Sequence, residues 1–155
     1  VHIRYASHRI GKLVEVALGG EPVFNLTGVD WPTRDGSGIR DYIHVWDLAQ
    51  AHIKAVERFD SVIAQGREED APYTVINLGT GTGITVKEFV RAFEDVYGQK
   101  LPVSVQPPRP GDVAGAYANA DKAARLLGWK ADIPIEQGIS DALKWGKVRD
   151  TIIHY

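Results

Sequence analysis

The chain has 155 residues, a formal net charge of -2, 44% hydrophobic and 25% charged residues, the balance of an ordinary globular domain and not of a disordered or collagenous chain. With no cysteine, disulfide frameworks, Cys-ligated zinc, iron–sulfur clusters and thiol catalysis are excluded, and the lean is toward a reducing compartment. The near-neutral charge gives no bulk drive toward nucleic acid or anionic membrane. No apolar run reaches the roughly 18 residues of a spanning helix, so a cytoplasmic chain is expected. Methionine is missing altogether, position 1 included, as in a processed or partial product.

In chain order, Ile10, Leu13, Val14, Ala17 and Leu18 repeat at helical spacing, and Gly19-Gly20 ends that helix. After Pro22 a short apolar piece, Val23-Phe24, leads into a long polar loop over residues 25–38. Residues 39–45 alternate as an extended segment, with Ile39, Asp41, Ile43 and Val45 on one face and Arg40, Tyr42 and His44 on the other. Asp47, three residues before Gln50, reads as the capping box of a helix striped by Leu48, Ala51, Ala55, Val56 and Phe59. Residues 60–71 read as a charged connector.

Residues 73–78, YTVINL, form a β-rich run that is apolar on both faces, as in a buried parallel strand. A glycine turn over residues 79–83 follows, then a helix capped by Thr85 and Glu88, marked by Val86, Phe89, Val90, Phe93 and Tyr97 and stopped by Gly98. Together they read as a βα unit. Residues 101–106 make one more strand, and Pro107, Pro108 and Pro110 stiffen the next loop. Two short helices close the chain, one capped by Asn119 and stopped by Gly128, the other starting near Pro134.

The glycines at 79, 81 and 83 stand between a strand and a helix start, where an anion could bind. Their G-x-G-x-G spacing is neither the dinucleotide nor the P-loop fingerprint, which favours a tight turn. The five histidines, at 2, 8, 44, 52 and 154, have no metal-ligand spacing, and no nucleophile elbow occurs. Arg40 and Arg109 are the informative cations, because a pyrophosphate is best held by fork-shaped, permanently charged donors. A solvated surface arginine is the alternative for each.

The run WPTRDGSGIRDYIHVWDLA over residues 31–49 resembles the signature in the C-terminal part of UDP-glucose 4-epimerases, members of the extended short-chain dehydrogenase/reductase superfamily. NLGTG at 77–81, RPGDV at 109–113, YANADKA at 117–123 and LGW at 127–129 follow in the same order. The resemblance covers roughly residues 11–147. It implies an α/β fold, the C-terminal part of an NAD(P)-binding Rossmann-like protein with strands, a βα unit and flanking helices. Residues 1–155 would then be a UDP-sugar-binding region, with an N-terminal Rossmann NAD domain lying outside this chain.

By the same resemblance, Arg40 and Arg109 contact the UDP phosphates, Asp112 the ribose hydroxyls and Tyr42 the same face, with the stretch around Phe24 near the uracil. Ala116 takes a position where side-chain size gates the C2 substituent of the sugar. NAD is expected for the complete enzyme and none for this chain alone, since no Tyr-x-x-x-Lys or glycine fingerprint occurs. The expected partners are a UDP-sugar, a Rossmann domain or a second copy of the chain, with no nucleic acid and no membrane. The family's Asn-Asn-Leu segment is replaced by His8-Arg9-Ile10-Gly11-Lys12. Another nucleotide-sugar epimerase, dehydratase or decarboxylase, or a non-catalytic UDP-sugar-binding remnant, are the alternative readings.

Overall fold

A computed structural model describes residues 8–66 and 73–152. In chain order the elements are α1 (Arg9–Ala17), β1 (Phe24–Thr27), β2 (Ile39–Arg40), α2 (Val45–Glu57), α3 (Phe59–Gly66), β3 (Ile84–Thr85), α4 (Val86–Tyr97), β4 (Val103–Gln106), α5 (Asp121–Leu127) and α6 (Ile135–Ile152). The chain divides into two units, one of residues 8–38, 85–114 and 135–152, the other of residues 39–84 and 115–134. The fold class is α/β, as expected.

In the first unit the sequence FNLT alternates, burying Phe24 and Leu26 and exposing Asn25. This makes a true strand of what the polar composition presents as the start of a long loop. It pairs in parallel with β4, Phe24 opposite Val103 and Thr27 opposite Gln106. Helices α1, α4 and α6 pack together, and Leu13, Phe89, Phe93 and Ile139 are fully buried. Helix α4 begins with the expected Thr85–Glu88 capping box and ends at Gly98, whose φ of 81° suits glycine. The final helix is not short: it runs 18 residues.

Loop 33–37 clasps the start of α4. Asp35 accepts from the Ser37 amide and hydroxyl at 2.9 and 2.7 Å and from the Thr85 hydroxyl. Lys87 donates its ammonium to the Asp35 carbonyl at 2.7 Å. Burial alone would raise the Asp35 pKa, but the bonds from Thr85 and Ser37 and the charge of Lys87 outweigh it and lower it. Beside it the Arg34 guanidinium forks onto both oxygens of Glu88.

In the second unit β2 pairs with β3, and Ile39 also bridges in parallel to Gly115. Its core gathers Ala51, Val62, Ala123, Leu126, Leu127 and Trp129 from α2, α3, α5 and the residues beyond, with Ile76 and Leu78 packed against it. The extended segment expected over 39–45 makes a ladder only at Ile39 and Arg40. Helix α2 starts earlier than the Asp47 capping box implies: His44 is the N-cap, its ring accepting from the Trp46 amide at 3.1 Å. The Asp47 carboxylate is instead buried and accepts from the amides of Asp132 and Ile133 at 3.2 and 3.0 Å. The expected connector contains α3, and its residues 67–71 lie outside those described.

Residues 73–78 form no ladder among the described residues, so β3 and not this run leads into α4. Nor are both faces buried: Tyr73 and Val75 are exposed while Ile76 and Leu78 pack on the core. An apolar run becomes a buried strand only where a neighbour supplies hydrogen bonds and cover. Asn119 does not take the N-cap position of α5, which falls to Ala120, although its side chain accepts from the Asp121 amide at 2.9 Å.

The Arg34–Glu88 pair gives a pH test. Arg34's side-chain hydrogen bonds, outweighing burial, hold the Glu88 carboxyl down from its ordinary 4.5 to about 2. A carboxyl depressed on folding stabilises the chain above its unfolded pKa and loses that contribution as pH falls through the folded one. The melting-temperature difference between the parent and Glu88→Gln, followed by circular dichroism, is expected to be greatest above pH 4.5 and to shrink toward pH 2. A pH-independent difference would contradict this.

Candidate functional site

The Phe24 amide donates to the Pro102 carbonyl at 2.8 Å and the Gly28 amide to Gln106 at 2.9 Å. Backbone groups alternate between the two edges of a strand. The amides and carbonyls of Asn25 and Thr27 therefore face away from β4, toward an edge that no described strand covers. The same residues help to line a cleft of about 480 Å³, walled by Lys12 and Val16 of α1, Phe24, Asn25 and Thr27 of β1, and Gln106 and Arg109 at and beyond the end of β4.

Two residues expected from sequence, Phe24 and Arg109, share this cleft. The Phe24 ring is 3% exposed, so it is chiefly a core side chain whose strand forms the wall. The Arg109 amide donates to Asp112 Oδ2 at 3.0 Å, and the Asp112 amide returns to the Arg109 carbonyl at 3.0 Å. Gly111 turns this loop with a φ of 84°. The Arg109 guanidinium is 70% exposed and its Nε stands 3.7 Å from Asp112 Oδ2, so the charge is available to an anion.

Arg40, Tyr42 and Ala116 belong to the second unit. Arg40 donates from Nη1 to its neighbour's carbonyl, Ile39 O, at 2.6 Å, Tyr42 is half-buried and Ala116 is exposed. The segments bearing them run side by side, joined by the Ile39–Gly115 bridge and by Asp41. Asp41 lies on what alternation presents as an apolar face, yet its carboxylate accepts from the Thr80 amide and hydroxyl at 3.0 and 2.6 Å and from the Ala118 amide at 3.0 Å. A Cβ at Gly79 would stand 2.2 Å from Asp41 Oδ2, and one at Gly115 1.8 Å from the Ile39 carbonyl.

Lys12, Asp41 and Gly115 are the residues that sequence reading missed. Only Asp41 carried a signal, a charge among apolar partners at period two.

The glycine-rich turn resolves toward packing. Its Thr80 amide is already held by a carboxylate, and Gly79 and Gly83 are small because Asp41 and the Tyr117 ring lie against them. A dinucleotide pyrophosphate needs free amides and no facing anion, so this turn does not fit NAD. Among the described residues no group of three His, Asp or Glu is placed to hold a metal ion, and no helix is long and apolar enough to cross a membrane.

Comparison with solved structures defines the class first. The model matches a UDP-glucose 4-epimerase from Stenotrophomonas maltophila, solved with NAD and formylated UDP-arabinopyranose, at TM-score 0.85 and 35% identity over 99% of this chain and 43% of that one. It matches the Bifidobacterium longum enzyme in complex with NAD+ and UDP at TM-score 0.80 and 36% identity, over 92% and 40% of the two chains. The fold is thus that of the Rossmann-like extended short-chain dehydrogenase/reductases. Residues 4–142 match the family model of GDP-mannose 4,6 dehydratase, and the chain belongs to that family.

Among curated relatives, UDP-glucose 4-epimerase 3 of Oryza sativa subsp. japonica is 47% identical over 133 residues, 86% of this chain and 34% of that protein. The UDP-glucose 4-epimerase of Bacillus subtilis is 43% identical over 133 residues, 86% and 37% of the two. The chain therefore spans about a third of the length of the curated relatives it matches.

Asp41→Asn is expected to destabilise the chain by about 1–3 kcal/mol, since an amide nitrogen would face a donor where an oxygen now accepts. Thermal melting checks this, at roughly 2–4 °C per kcal/mol for a chain of this size. Gly79→Ala should be at least as damaging, and an unchanged melting temperature in both variants would refute the anchoring role.

Proposed function

We propose that the chain is the UDP-sugar-binding portion of a UDP-glucose 4-epimerase, whose complete form interconverts UDP-glucose and UDP-galactose. The observation that carries this reading is the free edge of β1 lying in one cleft with Arg109. Uracil presents an acceptor–donor–acceptor edge, and a strand edge offers a carbonyl and an amide in alternation. The Asn25 carbonyl suits the ring N3–H and the Thr27 amide suits a ring carbonyl. Arg109 then takes a phosphate, and Asp112 keeps its second oxygen for the ribose hydroxyls.

In this reading the chain binds and orients, and it holds the sugar where chemistry done by other residues can reach C4. NAD would supply a hydride acceptor in the complete enzyme. Its binding residues, with the Tyr and Lys that handle the proton, are assigned to a Rossmann portion outside the 155 residues. The resemblance further gives Arg40 to the UDP phosphates and Tyr42 to the same face. A second reading, a dehydratase or related enzyme acting on a different nucleotide sugar, is favoured by the name of the matched family. The nucleobase separates the two: both bases offer an N–H beside a carbonyl to the Asn25–Thr27 pair, but guanine carries a second donor where uracil has a second carbonyl.

Titration calorimetry on the chain is expected to show UDP binding that exceeds GDP binding and weakens with salt. Arg109→Ala should weaken UDP about tenfold or more, and so, measured separately, should Arg40→Ala, as charge-assisted bonds of about 1.5–3 kcal/mol imply. Unchanged affinity in both variants would mean that the site is misplaced, and a preference for GDP would favour the second reading.

Ala116 leaves room that a tyrosine would fill. In the complete enzyme of this reading, UDP-N-acetylglucosamine is turned over beside UDP-glucose, and Ala116→Tyr lowers the N-acetylated reaction at least about tenfold while sparing the other. Equal loss of both reactions, or no N-acetyl turnover in the parent, would reject the gate.

A further inference from the structure

Lys12 stands in the stretch where the chain departs from the epimerase pattern, and it lines the cleft from the side of α1. It is exposed, and among the described residues it forms no ion pair, although Glu21 borders the same cleft. Helix α1 packs against β1. Lys12 thereby lines the same cleft as Asn25 and Thr27. Arg109 lines it from beyond Gln106, which is opposite Thr27.

The strand edge leaves one group of the ligand without a partner. A ring imide has two carbonyls and one N–H, whereas the strand edge offers one carbonyl and one amide in register with it. The second ring carbonyl needs a donor from another element. We propose that Lys12 is a specificity residue of this cleft, its ammonium donating to the uracil carbonyl that the edge of β1 leaves unmatched. The proposal rests on the UDP reading and adds to it a side chain that selects the base, where Arg109 selects the phosphate.

The test is calorimetry on the 155-residue chain and its Lys12→Met variant with four ligands: UDP, inorganic pyrophosphate, 2-thio-UDP and 4-thio-UDP. Methionine keeps the helix propensity of the exposed position, and circular dichroism checks that the fold is kept. The expected result is about a tenfold loss for UDP with pyrophosphate unchanged. A thiocarbonyl is the weaker acceptor, so one thio analogue should bind the parent more weakly than UDP does, and the variant should no longer distinguish that analogue from UDP.

Three results would overturn the assignment: unchanged UDP affinity in Lys12→Met, an equal loss for pyrophosphate, or losses that simply add for both thio analogues. Failure of the unsubstituted chain to bind UDP would instead sink the underlying reading, and this assignment with it.

Discussion

The Asp41 carboxylate sets the terms on which the second unit can exist. Its strands are two residues long, too short for a ladder to hold distant segments together. One buried-side carboxylate does it instead, drawing in the turn at Thr80 and the segment at Ala118 from 39 and 77 residues away. Ionised acceptors make stronger bonds to backbone amides than neutral ones do, and the geometry forces residue 79 to be glycine. The same device recurs at intervals of six residues. Asp35 takes the Thr85 hydroxyl, and Asp47 takes the amides of Asp132 and Ile133. In each case a side chain supplies the long-range hydrogen bonds that a longer sheet would otherwise provide.

What was legible in the sequence follows the range of the forces involved. The Thr85–Glu88 box, the stop at Gly98 and the turn at Gly128 are decided within four or five residues, and the structure has all three where the sequence places them. The strand FNLT reads as loop beyond Phe24, because its character comes from a parallel partner nearly 80 residues later. The reverse happened at residues 73–78, whose composition says strand but which meet no partner among the described residues. Asp47 reads as a cap because a helix start is a local explanation for an aspartate, and the two amides it actually serves lie 85 and 86 residues away.

The candidate site divides in the same way. Arg109 could be picked out from its charge and its prolines, and the resemblance gave it a partner in phosphate. That it shares a cleft with the stretch around Phe24 depends on the register of β1 and β4, which no local signal carries. Lys12 had no signal at all, since an exposed lysine on an amphipathic helix is ordinarily a solvated one. Only the packing of α1 against β1 places it in the cleft wall.

These contacts also explain why the match to relatives fixes the fold more tightly than the substrate. In the run of residues 31–49, Arg34, Asp35, Ser37, Asp41 and Asp47 all spend their polar groups on the protein itself. A motif built mainly of such anchors serves the scaffold more than any one ligand. Consistent with this, one chain matches both a dehydratase family model and a series of epimerases. In the first unit the cleft wall is a place where the scaffold leaves side chains unspent. Lys12 and Arg109 line it from elements outside the run of residues 31–49, so neither takes part in the carboxylate contacts within each unit.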